Sequence, residues 1–209
     1  MAGRLLILVF AAIASLSVLC GCTSFFPPEV HDEGWGDGIY RDFGERPLWS
    51  KDAAAGYTRR VRVFVFPSYA FSRVAIRIDT RASGETTGYV ALIRPSHNER
   101  QPEIKERRTF TVTADDLATL NQLIHESTLW EIYPEHWVDR KADSQTDHIR
   151  ICIDGVQLIM ERVTASGYRY SEGNAICPGL PLTVLQFVDH MIDMAGLGKT
   201  EVHYWIRNY

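Results

Sequence analysis

The sequence predicts an α+β domain: an antiparallel sheet of about six strands packed with two helices, after a signal peptide and a flexible tether. Three observations predict it. From Arg60 onward, apolar residues recur at every second position through four successive segments. Two later segments, near 114–127 and after Pro181, carry apolar residues at helical spacing. Between them, Asp154-Gly155 sits inside an alternating run and marks a tight hairpin turn.

The chain opens with Arg4 and the run LLILVFAAIASLSVL, which no charge interrupts. A membrane-crossing helix needs about 20 apolar residues. This run is shorter and ends in small residues, which fits a cleaved signal better than a membrane anchor. The stretch Leu19-Cys20-Gly21-Cys22 resembles the lipobox of bacterial lipoproteins. That resemblance implies cleavage after Gly21, diacylglycerol on the sulfur of Cys22, and a palmitate-type chain on the new amino terminus. Each buried methylene contributes about 0.8 kcal/mol, so two or three chains hold firmly where one does not. Thr23 stands where an Asp commonly retains lipoproteins in the inner membrane. The resemblance therefore implies a cell-envelope protein, in a Gram-negative host one on the outer membrane facing the periplasm. The segments are then a signal peptide (1–21), a lipidated tether (22–50) and a single domain (51–209).

Cleavage removes one basic residue and leaves 21 against 26 acidic ones, a net charge of −5 on 188 residues. That is enough chain for one core. No long basic block appears, which disfavours nucleic acid as a partner. The basic stretches YTRRVRVF and KERR read as solvated strand faces. Cys152 and Cys177 remain after processing. In an oxidising compartment such a pair predicts a disulfide, and its loop of about 25 residues would contribute roughly 3 kcal/mol.

The elements follow in order. Residues 23–50 show no sustained period and hold three prolines, so they read as a tether that docks partly through its aromatics. RVRVFVF places Val61, Val63 and Val65 on one face; RVAIRID places Val74, Ile76 and Ile78 on one face, with Arg73, Arg77 and Asp79 opposite. ASGET reads as a turn, and TGYVALIR and IKERRTFTV complete a four-strand meander. Thr113 reads as an N-cap before Asp115 and Asp116, where the helix dipole favours negative charge. Leu117, Leu120, Leu123 and Ile124 form that helix's apolar stripe. Folding the next run at Asp154-Gly155 sets Ile153 against Val156, Ile151 against Leu158 and Ile149 against Met160. Cys152 then points to the other face. The helix between this hairpin and the first four strands leaves open whether they share one sheet. Pro181 suits a helix start, Leu185, Val188, Ile192 and Ala195 make its stripe, and Gly196 or Gly198 ends it. The tail TEVHYWIRNY alternates and reads as a last edge strand. A closed outer-membrane barrel would need at least eight strands, more than the six or seven short ones counted here.

Chemistry-bearing motifs are sparse. His125, His136 and His148 are isolated and no zinc spacing occurs, so no metal or cofactor is expected. Asp189-His190 near Asp193 reads as a solvated helix face. Gly-x-Ser-x-Gly and a Gly-rich phosphate loop are missing, and no catalytic residue is assigned. The segment 127–143 sets Trp130, Tyr133 and Trp137 among charges. Trp130 and Ile132 suit the core, while Tyr133 and Trp137 are the candidates for a partner contact.

LWEIYP, then DGVQLIMERVTASGYRY, CPG and AGLG resemble a pattern in small exported bacterial proteins without an assigned activity. The resemblance spans 129–198 and implies a shared fold only. The leading expectation is a lipid-anchored envelope accessory protein that binds a protein or an envelope component, the membrane being held through Cys22. The alternatives are a periplasmic hydrolase with a site built from unlinked residues, and an inhibitor or self-protection lipoprotein.

Overall fold

A computed structural model describes residues 36–50, 52–67, 72–94, 103–127, 129–131, 138–139, 150–151, 155–175 and 180–197. The signal segment, Cys22, Tyr133, Trp137, Cys152, Cys177 and the carboxy-terminal tail lie outside the described residues.

The expected meander forms. β1 (Tyr57–Pro67), β2 (Arg73–Arg81), β3 (Thr86–Arg94) and β4 (Glu103–Thr111) pair antiparallel in sequence order. The ASGET turn closes β2 to β3, where Gly84 N donates to Arg81 O at 3.0 Å. Then β7 (Val156–Thr164) joins β1, and β8 (Gly167–Asn174) joins β7, which gives the order β4-β3-β2-β1-β7-β8. The strands after the intervening helix that enter this sheet add on at its β1 edge, β7 first and β8 outside it, so these six strands form one sheet. Two short strands, β5 (Val138–Asp139) and β6 (Arg150–Ile151), pair separately.

The Asp154-Gly155 hairpin is not what pairs β7. Leu158 lies opposite Val65 on one side and Gly173 on the other, while Ile151 lies opposite Val138. Both edges of β7 are taken, β1 alone aligning nine residues from Arg59↔Thr164 to Pro67↔Val156. A two-residue turn signal reports local backbone compatibility; here the long register with β1 and β8 outweighs it. The true hairpin closes one strand later, at Ala165-Ser166, with Thr164 opposite Gly167.

One sheet face carries the expected core. Val61, Val63, Val65, Ile76, Leu158 and Met160 are buried against α2 (Ala114–Glu126) and α3 (Leu182–Met194). α2 begins as expected: Thr113 Oγ1 accepts from Asp116 N at 3.1 Å, and Asp116 Oδ2 accepts from Thr113 N at 3.1 Å. Of its stripe, Leu120 is fully buried and Leu117, Leu123 and Ile124 pack against the same core. In α3, Phe187 and Val188 reach zero exposure. Gly196, at φ +65°, closes that helix in the left-handed region. His190 does not face solvent freely: its Nε2 meets Asp116 O at 2.9 Å and ties α3 to α2.

The opposite face is not solvated. Residues 36–50 form α1 (Gly36–Phe43) and a turn-rich strap, and both pack on the sheet. Ile39, Tyr40 and Phe43 lie on one side of α1, against Phe64, Phe66 and Ile159. The tether expectation therefore holds for aromatic docking but misses the helix. α1 is two turns long and holds two glycines, so its propensity is low and its stability comes from burial. Tyr40 sets its ring edge-on to Trp49 (centroids 5.1 Å) and Phe64 (5.6 Å). Arg107 Nη2 on β4 donates to Phe43 O at 2.7 Å and caps the helix end.

Gly155 keeps its importance for a new reason. Its φ is +143°, and an added Cβ would fall 2.2 Å from Asn174 Oδ1. Gly155→Val is expected to lower the unfolding free energy by about 1–3 kcal/mol through strain and clash. Leu158→Ala should lower it by about 2–5 kcal/mol. Urea unfolding checks both; a Gly155→Val protein as stable as the parent would contradict the clash.

Candidate functional site

The second face of the sheet is built around two buried charges. Arg62 on β1 and Glu161 on β7 are opposite each other in register, and both side chains have 0% exposure. Arg62 donates from Nε at 2.7 Å and from Nη2 at 2.5 Å to Glu161 Oε2. Glu161 Oε1 accepts from Tyr168 at 2.7 Å and from Tyr40 at 3.1 Å. Each carboxylate oxygen thus holds two donors, which fills its acceptor capacity. Arg62 Nη1 continues outward to Arg46 O at 2.8 Å and Glu45 at 3.2 Å. The guanidinium lies against the rings of both Tyr40 (4.8 Å) and Phe64 (4.7 Å).

Neighbouring charges extend the network. Asp79 receives both Arg60 (2.8 Å) and Arg77 (3.1 Å), and Arg77 also pairs with Glu45. The reading of YTRRVRVF as a solvated face is therefore corrected: Arg62 is buried and Arg60 half-buried, because residues 36–50 cover that face. Burial, with the Glu161 charge second, pushes the Tyr40 hydroxyl far above its ordinary value. The same two causes raise Tyr168. Both phenols stay protonated and keep donating. A saturated carboxylate held by fixed donors has no free lone pair to act as a general base, so this cluster joins the strap to the sheet.

A second group of arginines behaves differently. Arg59, Arg162 and Arg169 stand on β1, β7 and β8, on the same face as Val61 and Met160. Arg162 is directly opposite Arg169, and Arg59 is diagonal to Arg162. Like charges directly opposite destabilise a sheet. Among the described residues no carboxylate makes an ion pair with any of the three. Arg59 Nη1 is held by Asn121 Oδ1 of α2. The Arg162 guanidinium lies 5.0 Å from the ring centre of Trp130, in a 3₁₀ turn (Leu129–Glu131) beside β8. Among the described residues, Arg162 Nε and Trp130 Nε1 are buried donors without an acceptor. Burial, with the Arg162 charge second, lowers the Arg59 pKa; burial, with the Arg169 charge second, lowers that of Arg162. Together these groups make a cationic row with spare donors.

Elsewhere, an open pocket of about 200 Å³ lies between α1 and the sheet, lined by Asp42, Phe43, Phe66, Arg73 and Ile93 among others. It is smaller than the usual ligand cleft. Among the described residues no group of three or more His, Cys, Asp or Glu side chains could hold a metal ion. The sequence-derived site residues, Cys22, Tyr133, Trp137, Cys152 and Cys177, all fall outside the described residues. The arginine row was not found from sequence. Arg162 and Arg169 are seven positions apart, and only the β7–β8 register makes them neighbours.

Two variants separate the two groups. Glu161→Gln leaves Arg62 buried with its main counter-charge removed, and it should cost about 3–5 kcal/mol in chemical denaturation. Stability within 1 kcal/mol of the parent, on the same scale, would contradict the lock. Arg169→Gln relieves a like-charge pair and should stabilise by about 0.2–1 kcal/mol. The gain should shrink in high salt, where exposed charges are screened. Thermal melts at low and high ionic strength check this; a loss of stability at low salt would contradict it.

No protein-family model matches the chain, and no curated protein matches it closely enough to lend a function, which leaves the arginine row and the amino-terminal motif to indicate one.

Proposed function

We propose that this chain is a lipid-anchored envelope accessory protein that binds a component of the envelope through its folded domain. The anchor is Cys22, on the resemblance of Leu19-Cys20-Gly21-Cys22 to a lipobox. What supports the binding role is the arginine row of Arg59, Arg162 and Arg169, which among the described residues makes no ion pair and leaves Arg162 Nε without an acceptor. Such an arrangement costs stability in the isolated domain and is offset when an acceptor arrives.

Docking of residues 36–50 bears on where that surface sits. Thirteen residues separate Cys22 from Gly36. At the fully extended limit they reach about 45 Å, so the domain stays within about that distance of its lipid. The strap also enters the sheet on the face opposite the arginine row, since α1 packs on Phe64 and the row shares the side of Val61.

Cys22→Ser should abolish metabolic labelling with a fatty acid and shift the protein out of the membrane fraction. Undiminished labelling of that variant would refute the anchor.

A further inference from the structure

We propose that Arg59, Arg162 and Arg169, with Trp130 packed against Arg162, form a binding site for a phosphoryl group. This names the ligand chemistry for the binding reading above and rests on that reading for its setting. It does not depend on lipidation of Cys22, because the row belongs to the sheet itself.

The contrast between the two faces of one sheet is the first argument. Arg60, Arg62 and Arg77 each meet a carboxylate: Asp79, Glu161 and Glu45 take them up within the domain. Arg59, Arg162 and Arg169 make no such pair among the described residues, and their neighbours on the same sheet face are each other. The register forces it, since Arg162 and Arg169 are opposite and Arg59 is one pair away. Three arginines stand on one face of three adjacent strands, and among the described residues no carboxylate makes an ion pair with them.

The second argument is the pair of orphan donors. Buried N–H groups without an acceptor are rare, because each forfeits its hydration for nothing. Among the described residues two occur, at Arg162 Nε and Trp130 Nε1, on residues whose guanidinium and ring are 5.0 Å apart. Stacking on the indole holds the Arg162 plane, and Asn121 holds Arg59 through Nη1. Two of the three cations are thus positioned before any ligand arrives, which limits the ordering cost of binding.

Charge and shape then choose the ligand class. A phosphomonoester carries roughly −1.5 to −2 charges and three acceptor oxygens. That matches a row of three forked donors better than a carboxylate, which offers one charge and two oxygens and satisfies a single guanidinium. The row is half-buried at Arg59 and Arg162 and exposed at Arg169, so a phosphate on a larger molecule can enter from the Arg169 side. A free phosphate and a lipid headgroup phosphate share this chemistry.

The test uses the full chain in a non-ionic detergent and a phosphate-free buffer of low ionic strength. Inorganic phosphate is titrated first, then detergent micelles doped with phosphatidic acid, each followed by calorimetry and tryptophan emission. Saturable binding of either probe is expected: free phosphate alone points to a soluble source, and the doped micelles alone to a lipid headgroup. Arg162→Gln should weaken the binding about 10–100-fold, the size expected for losing charge-assisted bonds. Arg169→Gln, at an exposed position, should weaken it in the same direction and guards against a folding defect at Arg162. Trp130→Phe removes one of the two orphan donors, so it should abolish most of the emission change and also weaken the calorimetric binding. The proposal is overturned if neither probe saturates, if acetate at equal ionic strength binds as tightly as phosphate, or if both arginine variants bind like the parent. These outcomes are separate from fatty-acid labelling at Cys22, so the anchor and the phosphoryl site can fail independently.

Discussion

A guanidinium and a carboxylate, both at zero exposure, face each other across β1 and β7, and much of the domain is arranged to satisfy them. Desolvating two ions costs several kcal/mol each, and their attraction repays that only with good geometry and filled hydrogen bonds. The Arg62–Glu161 pair meets the condition through Tyr40 of α1, Tyr168 of β8 and the Arg46 carbonyl of the strap. Removing any of these elements would leave a buried charge short of a partner. The pair therefore ties residues 36–50, two central strands and an outer strand into one unit. An apolar pair could be as stable, but it would not specify the strap's position through directional bonds.

The two faces of the sheet handle positive charge in opposite ways. On the strap side every arginine of β1 and β2 in the network has a carboxylate, and the aromatic rings of Tyr40 and Phe64 exclude water around Arg62. On the helix side the apolar core ends where Val61 and Met160 give way to Arg59 and Arg162. There α2 contributes Asn121, a neutral acceptor, rather than a carboxylate. The first arrangement is self-contained and suits stability. The second leaves buried donors without an acceptor among the described residues, and the proposed phosphoryl site rests on them. Both depend on the same register, because a one-residue slip would exchange the faces of every side chain on β7.

Much of the architecture was legible locally. Period-two alternation in 60–66 and 73–79 reports a strand because successive side chains point to opposite faces. Thr113 with Asp116 three residues later reports a helix start because those side chains reach the free N–H groups of the first turn. β8 was harder: GYRYSEGN is polar and glycine-rich, yet Tyr170, Ser171, Glu172 and Asn174 are buried in it. Glu172 illustrates why, since its burial is made tolerable by Gln157 at 2.8 Å and by Tyr170, partners that only strand pairing supplies. The helix α1 was illegible for a related reason, since two turns with two glycines have no intrinsic preference strong enough to read.

By itself the sequence determined the strand and helix periods, the caps, the apolar face of the sheet and a lipobox-like amino-terminal motif, because each is written in residues a few positions apart. Tertiary structure alone decided that a second core exists, that Arg62 is buried rather than solvated, and that Arg59, Arg162 and Arg169 form a row. The physical reason is that β-pairing joins residues up to about a hundred positions apart, as in Arg62 with Glu161. A charge's partner, and therefore its role, is set by that register and not by its neighbours along the chain.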